Sequence, residues 1–226
     1  MAYEPRMSEY PLFISYPRSG SHWMNCLMEL YFDRPRLREE RVTLMPADRT
    51  DWMWFHDHDL DLDIEHNNVL YLYRDPVDVI YSLLMAEQGK IKKKGIQQIP
   101  ELAQGMADHF RRYLGPDGMA KAVIRYELCK ADLPSQFKII TEFYGQSFDQ
   151  SRLDWAADQV SKDKLVKEAS LRKKKPDQYM NDKMLSEKYS KNRKQFRIDH
   201  GDQITSIAIP TELESYFAPI STGQPV

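Results

Sequence analysis

Cysteine is scarce in this chain: Cys26 and Cys129 are its two cysteines in 226 residues. Two cysteines so far apart in sequence do not imply a disulfide framework, and no metal-ligand cluster includes them. Both lie in apolar surroundings, so we predict that they are small core residues. A chain of this length can bury one good hydrophobic core without disulfides. A single domain over residues 1–226 is therefore expected.

Long apolar runs and an excess of either charge are also missing. No stretch of 18 apolar residues is present that could span a bilayer, and residues 1–10 lack the apolar segment of a signal peptide. The net charge of −2 gives no reason to expect a nucleic-acid or membrane partner. A cytoplasmic protein is the expectation, and its oligomeric state cannot be predicted from the composition.

Basic residues nevertheless cluster in two runs, at 90–94 and at 172–175. Runs of this kind are typical of solvated loops. The alternative interpretation is that they attract an anionic cofactor, or an anionic acceptor such as a polysaccharide.

Apolar patterns alternate between strand-like and helix-like along the first two thirds of the chain. Strands that alternate with helices predict an α/β fold, in which a central parallel sheet is flanked by helices. The C-terminal third is predicted to be mostly helical and polar, with turns near Pro176 and Gly201. Within it, residues 146–195 could pack as charged helices or order only when a ligand binds. The predicted strands are 11–16, 52–56, 68–73 and 121–126, and the predicted helices are 20–31, 76–87, 99–114 and 133–144.

The first strand leads into the sequence Tyr-Pro-Arg-Ser-Gly-Ser-His-Trp at 16–23. A strand, a tight loop and a helix start together bind phosphate, because N–H groups in the first helical turn are unpaired and the helix dipole favours an anion. Gly20 lets the backbone close around an oxyanion, and Arg18 supplies a fixed positive fork. Ser19 and Ser21 add hydroxyl donors. The alternative is an ordinary strand-to-helix turn that needs a glycine.

A second strand-to-helix junction follows the apolar run at 69–73. Asp75 is placed to cap the next helix, and Asp78 stands where a capping-box acid would. Arg74 is then held at the carboxyl end of a strand, where ligands bind in open parallel sheets, and Ser82 projects from the helix two turns on. The alternatives are a surface ion pair for Arg74 and a solvated position for Ser82.

The two segments together resemble the sulfotransferases that use 3′-phosphoadenosine 5′-phosphosulfate (PAPS). The first resembles that family's 5′-phosphosulfate loop, Tyr-Pro-Lys-Ser-Gly-Thr-Thr-Trp. The second resembles its 3′-phosphate motif, an Arg followed by Asn/Asp-Pro-x-Asp-Val with a Ser eight residues after the Arg, here Arg74 and Ser82. The resemblance implies a P-loop-like nucleotide-binding fold and transfer of a sulfuryl group from PAPS to the hydroxyl or amine of a small-molecule or glycan acceptor. It implies no metal cofactor.

The same resemblance implies a set of cofactor-binding residues. Trp23 matches the family residue that stacks on adenine, although it could equally be the first core residue of its helix. His22 replaces a hydroxyl residue, which leaves its backbone N–H for a phosphate contact. The implied set is Arg18, Ser19, Gly20, Ser21 and His22 at the 5′ end of the nucleotide, Trp23 at its adenine, and Arg74 and Ser82 at its 3′-phosphate.

Two weaker matches extend the resemblance over most of the chain. Residues 124–127 resemble the family's strand that ends in Tyr-Glu, and this places Tyr126 near the adenine. Residues 196–202 resemble a basic C-terminal segment, in which Arg197 and the Gly201-Asp202 pair match. The resemblance thus implies that Arg197 binds the cofactor, and the alternative is a surface cation.

Sulfuryl transfer needs a base for the acceptor proton and cations for the leaving phosphate oxygen. The resemblance places the base on a His after the strand between the two phosphate motifs, where His56 and His58 both occur. We favour His56, which directly follows apolar residues, and a flanking Asp could orient either imidazole. The alternatives are a metal-binding His-x-His pair or surface histidines. Arg18 takes the place of the family's Lys and is predicted to stabilise the leaving group electrostatically.

Two other classes of protein could use a strand-loop-helix anion site. A small-molecule kinase would need the pattern G-x-x-x-x-G-K-[ST], but this loop has one Gly and no Lys. A non-catalytic nucleotide-binding module would keep the anion site and lack the base. Loss of turnover when both His56 and His58 are replaced distinguishes an enzyme from such a module.

Overall fold

The structure is a computed structural model that describes residues 10–37, 48–88, 91, 93–161 and 187–220. The predicted turn at Pro176 and the basic run at 172–175 lie outside the described residues, as does part of the run at 90–94. Within the described part, strands and helices alternate as the sequence predicts.

Four parallel strands form the central sheet, in the order β2-β1-β3-β4. The two central strands, β1 and β3, are buried along their whole length, which explains their continuous apolar sequences. The parallel α/β architecture is confirmed. The strands are β1 Leu12–Ser15, β2 Phe55–Asp57, β3 Val69–Tyr73 and β4 Ala120–Arg125.

β2 begins three residues later than the predicted strand at 52–56. The residues before it pair outside the sheet: the Met53 N–H donates to the carbonyl of Pro35, and the carbonyl of Trp54 accepts from Leu37. These bonds hold the preceding residues against the loop that follows the first helix. β2 is therefore a short edge strand.

Helices cover both faces of the sheet because successive strand side chains point to opposite sides. Leu12, Ile14 and Tyr71 pack on one face with α2, α4 and α8, whereas Phe13 and Leu70 pack on the other with α1, α6 and α7. Cys26 and Cys129 are buried on the second of these faces, with Phe13 and Leu70, as predicted. The helices are α1 Ser21–Phe32, α2 Pro76–Gln88, α3 Lys93–Gln97, α4 Ile99–Leu114, α5 Tyr126–Ala131, α6 Leu133–Phe143, α7 Gln150–Gln159, α8 Glu187–Ala208 and a 3₁₀ helix Thr211–Phe217.

Asp75 caps α2, as the sequence predicts: its Oδ1 accepts from the backbone N–H groups of Val77 and Asp78. The reciprocal capping-box bond from Asp78 does not form. The N–H of Asp75 donates instead to Glu127 Oε1 at 3.0 Å. The Asp78 carboxylate forms ion pairs with arginine side chains. The helix start is thereby tied to the end of β4.

The predicted turn at Gly201 is wrong, because this glycine lies inside α8 and is buried. Helix α8 packs against α2 and α4 and buries Phe196, Ile204 and Ala208. A glycine inside a helix costs about 1 kcal/mol relative to alanine. Burial of the apolar side chains on both sides of Gly201 outweighs that cost.

No helix in the described part of the chain is long and apolar enough to cross a membrane.

A buried histidine links β3 to the residues after β2. His109 on α4 is 1% exposed. Its Nε2 lies 2.9 Å from the carbonyl oxygen of His58, and its Nδ1 lies 2.7 Å from the hydroxyl of Tyr71. A carbonyl can only accept, so Nε2–H donates to it and Nδ1 accepts from the tyrosine. The ring is neutral in this arrangement.

We expect this histidine to make the fold acid-sensitive. Burial lowers the pKa of His109 to about 4 from its ordinary value of 6.5. Between these values the unfolded chain binds a proton that the folded imidazole does not. The free energy of unfolding should therefore fall as pH falls, by up to about 1.4 kcal/mol per pH unit from this residue.

The measurement is urea unfolding of the wild type and His109→Gln at pH 7 and pH 5. The glutamine keeps a donor and an acceptor but does not titrate, so the variant should lose less stability between the two pH values. Equal losses in the two proteins would contradict the assignment.

Candidate active site

The turn between β1 and α1 has the backbone of an anion-binding loop. It closes when the N–H of Ser19 donates to the carbonyl of Tyr16, and both Arg18 and Gly20 have left-handed backbones, with φ of 71° and 99°. Gly20 is the residue that caps α1, and it offers no side-chain acceptor to the first helical turn. The N–H groups of that turn have no acceptor within the helix, so they are available to an anion.

Gly20 is required at its position for two reasons. Its φ of 99° is rarely adopted by residues with a side chain, and an added Cβ would lie 2.5 Å from two ring atoms of Tyr126. The tyrosine ring thus lies directly against the loop backbone. This close approach brings the predicted adenine-side residue to the phosphate loop.

Arg18 joins the two predicted phosphate motifs. Its Nε donates to Ser82 Oγ at 3.0 Å, across 64 residues of sequence. Arg74 makes a second bond between the two motifs: its Nη1 donates to the carbonyl of Arg18 at 3.3 Å. The loop after β1 and the junction after β3 therefore meet at one edge of the sheet.

Arg74 is positioned by several partners and still has an unsatisfied donor. Its guanidinium lies 4.4 Å from the centre of the Tyr126 ring, and its Nη2 pairs with Asp78 at 3.3 Å. Its Nε is buried and has no hydrogen-bond partner among the described residues. The same is true of Ser19 Oγ in the loop. Two unsatisfied buried polar groups at this edge are what a bound anion would satisfy.

Arg197 reaches the same edge from α8. It pairs with Asp75 at 2.8 Å and with Asp78 at 2.9 Å, and Arg193 also pairs with Asp78, at 3.3 Å. Burial raises the pKa of the Asp78 carboxyl, but the neighbouring arginines lower it more, so it stays below its usual range. Three arginines, counting Arg74, thus surround two carboxylates and leave an excess of positive charge.

Aromatic rings flank the loop on the side of Tyr126. The rings of Trp23 and Tyr126 meet edge to face, with centroids 6.1 Å apart, and the Lys130 ammonium lies 5.1 Å from the centre of the indole. Ser21, the first residue of α1, is buried. His22 lies along the helix, with its Nε2 4.0 Å from Cys26 Sγ.

His56 lies on β2 opposite Phe13 of β1, with ring centroids 5.4 Å apart. Its Nε2 is buried and has no hydrogen-bond partner among the described residues. Burial, reinforced by the nearby His58, Arg36 and His22, holds the pKa of His56 well below its ordinary value. This imidazole is neutral at physiological pH, and it is not the surface histidine of the alternative interpretation.

His58 lies just past the end of β2, and its ring contacts that of His56, with centroids 4.9 Å apart. Its Nδ1 is 2.6 Å from the carbonyl oxygen of Ser15, the last residue of β1. Because that oxygen only accepts, Nδ1 carries the proton, and the neutral ring presents the lone pair of Nε2. The backbone N–H of His58 donates to Asp57 Oδ1.

The site therefore gathers the predicted residues from all four strand ends and from α8. Sequence reasoning missed the residues that support them, chiefly Glu127 and His109. Glu127 accepts hydrogen bonds from the Asp75 N–H and from Arg125. The Tyr-Glu pair at 126–127 is the sequence feature that could have identified it. His109 is one histidine among the mostly apolar buried residues of α4, which gives no signal in one sequence. Among the described residues, no three His, Cys, Asp or Glu side chains are grouped as metal ligands would be.

The sulfotransferase domain model matches residues 11–210 of this chain. Among solved structures, mouse sulfotransferase SULT7A1 in complex with PAP is similar, with a TM-score of 0.59 and 13% sequence identity over 95% of this chain and 90% of that one. At this sequence identity, the similarity shows that the two chains share a fold and nothing more. Retinol dehydratase in complex with androsterone and inactive cofactor PAP matches with a TM-score of 0.47 and 14% identity over 86% of this chain and 81% of that one.

No curated protein sequence matches this chain. The family match nevertheless spans most of the sequence, including both phosphate motifs and the two histidines. The chain therefore belongs to the PAPS-dependent sulfotransferase family.

Proposed function

We propose that this protein moves the sulfuryl group of PAPS to an acceptor hydroxyl or amine by direct in-line displacement, with His58 as the general base. The observation that carries the proposal is the bond between Arg18 of the first phosphate motif and Ser82 of the second. A nucleotide with an anion at each end needs two such sites at the distance of one nucleoside. In this chain both lie along one sheet edge, next to an imidazole.

The residues of the site fit such a nucleotide. The loop of Arg18, Ser19 and Gly20 offers backbone N–H groups, a cation and an unsatisfied buried hydroxyl to the 5′-phosphosulfate. Arg74 and Ser82 are proposed to hold the 3′-phosphate, and the Nε–H of Arg74 has no partner among the described residues.

The remaining proposed cofactor residues complete the nucleotide site. Arg197 adds charge to the 3′-phosphate end from α8. Trp23 and Tyr126 are proposed to contact the adenine, with Ser21 and the His22 backbone supporting the 5′ end.

PAPS when bound supplies an activated sulfuryl group, and the chain supplies a base and positive charge. An attacking hydroxyl must lose its proton as it bonds to sulfur, and the departing phosphate oxygen gains charge. Arg18 lies in the loop at the 5′ end, where a guanidinium that is always charged stabilises that oxygen. It does not donate a proton, so its role is electrostatic.

His58 is a better candidate for the base than His56, although the sequence favoured His56. The bond from Nδ1–H to Ser15 leaves Nε2 of His58 as an acceptor in a fixed orientation, beside the start of the phosphate loop. The Nε2 atom of His56 is buried, and the pKa of this imidazole is held so low that it takes a proton poorly. We propose that His56 stays neutral and supports the His58 ring.

The first experiment measures binding and turnover with labelled PAPS. PAP, the desulfated nucleotide, should raise the melting temperature and bind in calorimetry. Label should transfer to at least one member of a panel of phenols, sugars, glycans and amines. Absence of both nucleotide binding and thermal stabilisation would refute the function.

The base assignment is tested by replacing each histidine separately. We expect His58→Ala to lower kcat by about 100- to 10,000-fold, the range for loss of a general base, and to leave the Kd for PAP nearly unchanged. His56→Ala should lower kcat less, and His200→Ala, on α8, should leave it unchanged. A larger loss in His56→Ala than in His58→Ala would reverse the assignment. If the protein is instead a non-catalytic module, the variant without both histidines binds PAP as the wild type does and there is no turnover to lose.

Arg74 is expected to act on the nucleotide and not on the acceptor. Arg74→Ala should weaken PAP binding about 10- to 100-fold, since a hydrogen bond to a charged group contributes about 1.5–3 kcal/mol. The KM for the acceptor should change little. Arg111→Ala, which removes the same charge from an exposed site on α4, is the matched control. Equal losses of nucleotide and acceptor binding in Arg74→Ala would indicate a structural role.

A further inference from the structure

The segment that carries His58 has little support from the sheet. It follows β2, an edge strand of three residues, and the next residue, Asp59, has a left-handed backbone with φ of 43°. A residue with a side chain adopts this conformation at a cost in free energy, and it persists where its surroundings hold it. The Ser15 carbonyl of β1 contacts the imidazole ring, and contacts from outside the sheet must hold the backbone of this segment.

Helix α4 supplies those contacts from one face, because residues at i, i+3 and i+4 lie together on a helix. His109 Nε2 donates to the His58 carbonyl oxygen at 2.9 Å. Arg112 Nε donates to Asp59 Oδ2 at 3.1 Å, and the hydroxyl of Tyr113 donates to the same oxygen. The Asp59 side chain is fully buried. We call Asp57, His58 and Asp59 the base segment. Two of its consecutive residues, His58 and Asp59, are thus anchored to one helix.

His109 itself is held from the other side by β3. The Tyr71 hydroxyl donates to its Nδ1 at 2.7 Å, which keeps the remaining ring proton on Nε2, directed at His58. Tyr71 is fully buried and stacks on Tyr113, with ring centroids 4.8 Å apart. Hydrogen bonds therefore connect the buried central strand β3 through His109 to the base segment.

We propose that His109 is a positioning residue for sulfuryl transfer, which acts through the carbonyl oxygen of His58 to keep that imidazole beside Ser15. This inference rests on the proposed role of His58. Both ring nitrogens of His109 are engaged within the protein, so it acts through His58 and not on the substrate. Together with the bonds at Asp57 and Ser15, its bond fixes the base segment at its N–H, its carbonyl and its ring.

The test compares three variants on α4. His109→Leu removes the donor, whereas His109→Gln keeps an amide N–H for His58 and an oxygen for Tyr71. Asp108→Asn, at the neighbouring half-exposed position, is the control for effects on the helix. We expect His109→Leu to lower kcat about 10- to 100-fold, the cost of a misplaced catalytic group, and the other two variants to stay within about threefold of the wild type. The Kd for PAP should be unchanged in all three.

A second readout does not depend on turnover. The ¹⁵N chemical shifts of the His58 ring report which nitrogen carries the proton and the pH at which the ring titrates. The wild type and His109→Gln should show the proton on Nδ1 and the same titration midpoint. His109→Leu should show a mixture of tautomers and a shifted midpoint. If His58→Ala keeps full turnover, the proposed base is wrong, and these spectra still report whether His109 holds the His58 ring.

The proposal is overturned if folded His109→Leu has wild-type kcat and wild-type His58 spectra. It is also overturned if His109→Gln is as impaired as His109→Leu while its PAP binding is intact, since the carbonyl contact would then not be the cause. If His109→Leu does not fold, the Tyr71→Phe variant tests the proposal instead. Removal of that hydroxyl frees the His109 tautomer, so it should shift the His58 titration and lower kcat, and unchanged values would overturn the proposal.

Discussion

The parallel direction of the four strands is the constraint on which the site depends. Parallel strands place their carboxyl ends along one edge of the sheet, and each strand is followed there by residues of the site. The phosphate loop follows β1, the two histidines occupy the end of β2, Arg74 follows β3, and Tyr126 and Glu127 follow β4. Residues more than a hundred positions apart in sequence thus come within contact distance.

Within that edge, arginines make the connections that the backbone does not. Arg18 binds Ser82, Arg74 binds the carbonyl of Arg18, and Arg197 brings α8 to Asp75. The guanidinium suits this task because its planar donors point in several fixed directions and its charge persists at all physiological pH values. The same groups that hold this edge together are those proposed to bind the anionic nucleotide.

The two histidines lie side by side in different environments, and this difference supports the roles proposed for them. Their rings touch, yet the Nε2 of His56 is buried with no hydrogen-bond partner among the described residues, whereas the ring proton of His58 is fixed by the Ser15 carbonyl. The sequence favoured His56 because apolar residues precede it, but which nitrogen of each ring has a partner depends on tertiary contacts. His56 lies within β2, whereas His58 follows Asp57, the last residue of that strand.

The two phosphate motifs are predicted from their resemblance to a known family. The sequence also predicts the alternation of strands and helices and the cap at Asp75, because these depend on apolar periodicity and on local backbone chemistry. It did not determine the helical state of Gly201 or the roles of Glu127 and His109. Helix formation at Gly201 depends on burial against α2 and α4, and the hydrogen bonds of the other two residues join segments about 50 residues apart. Tertiary packing decided these features, because no local pattern specifies which distant group a buried polar atom will meet.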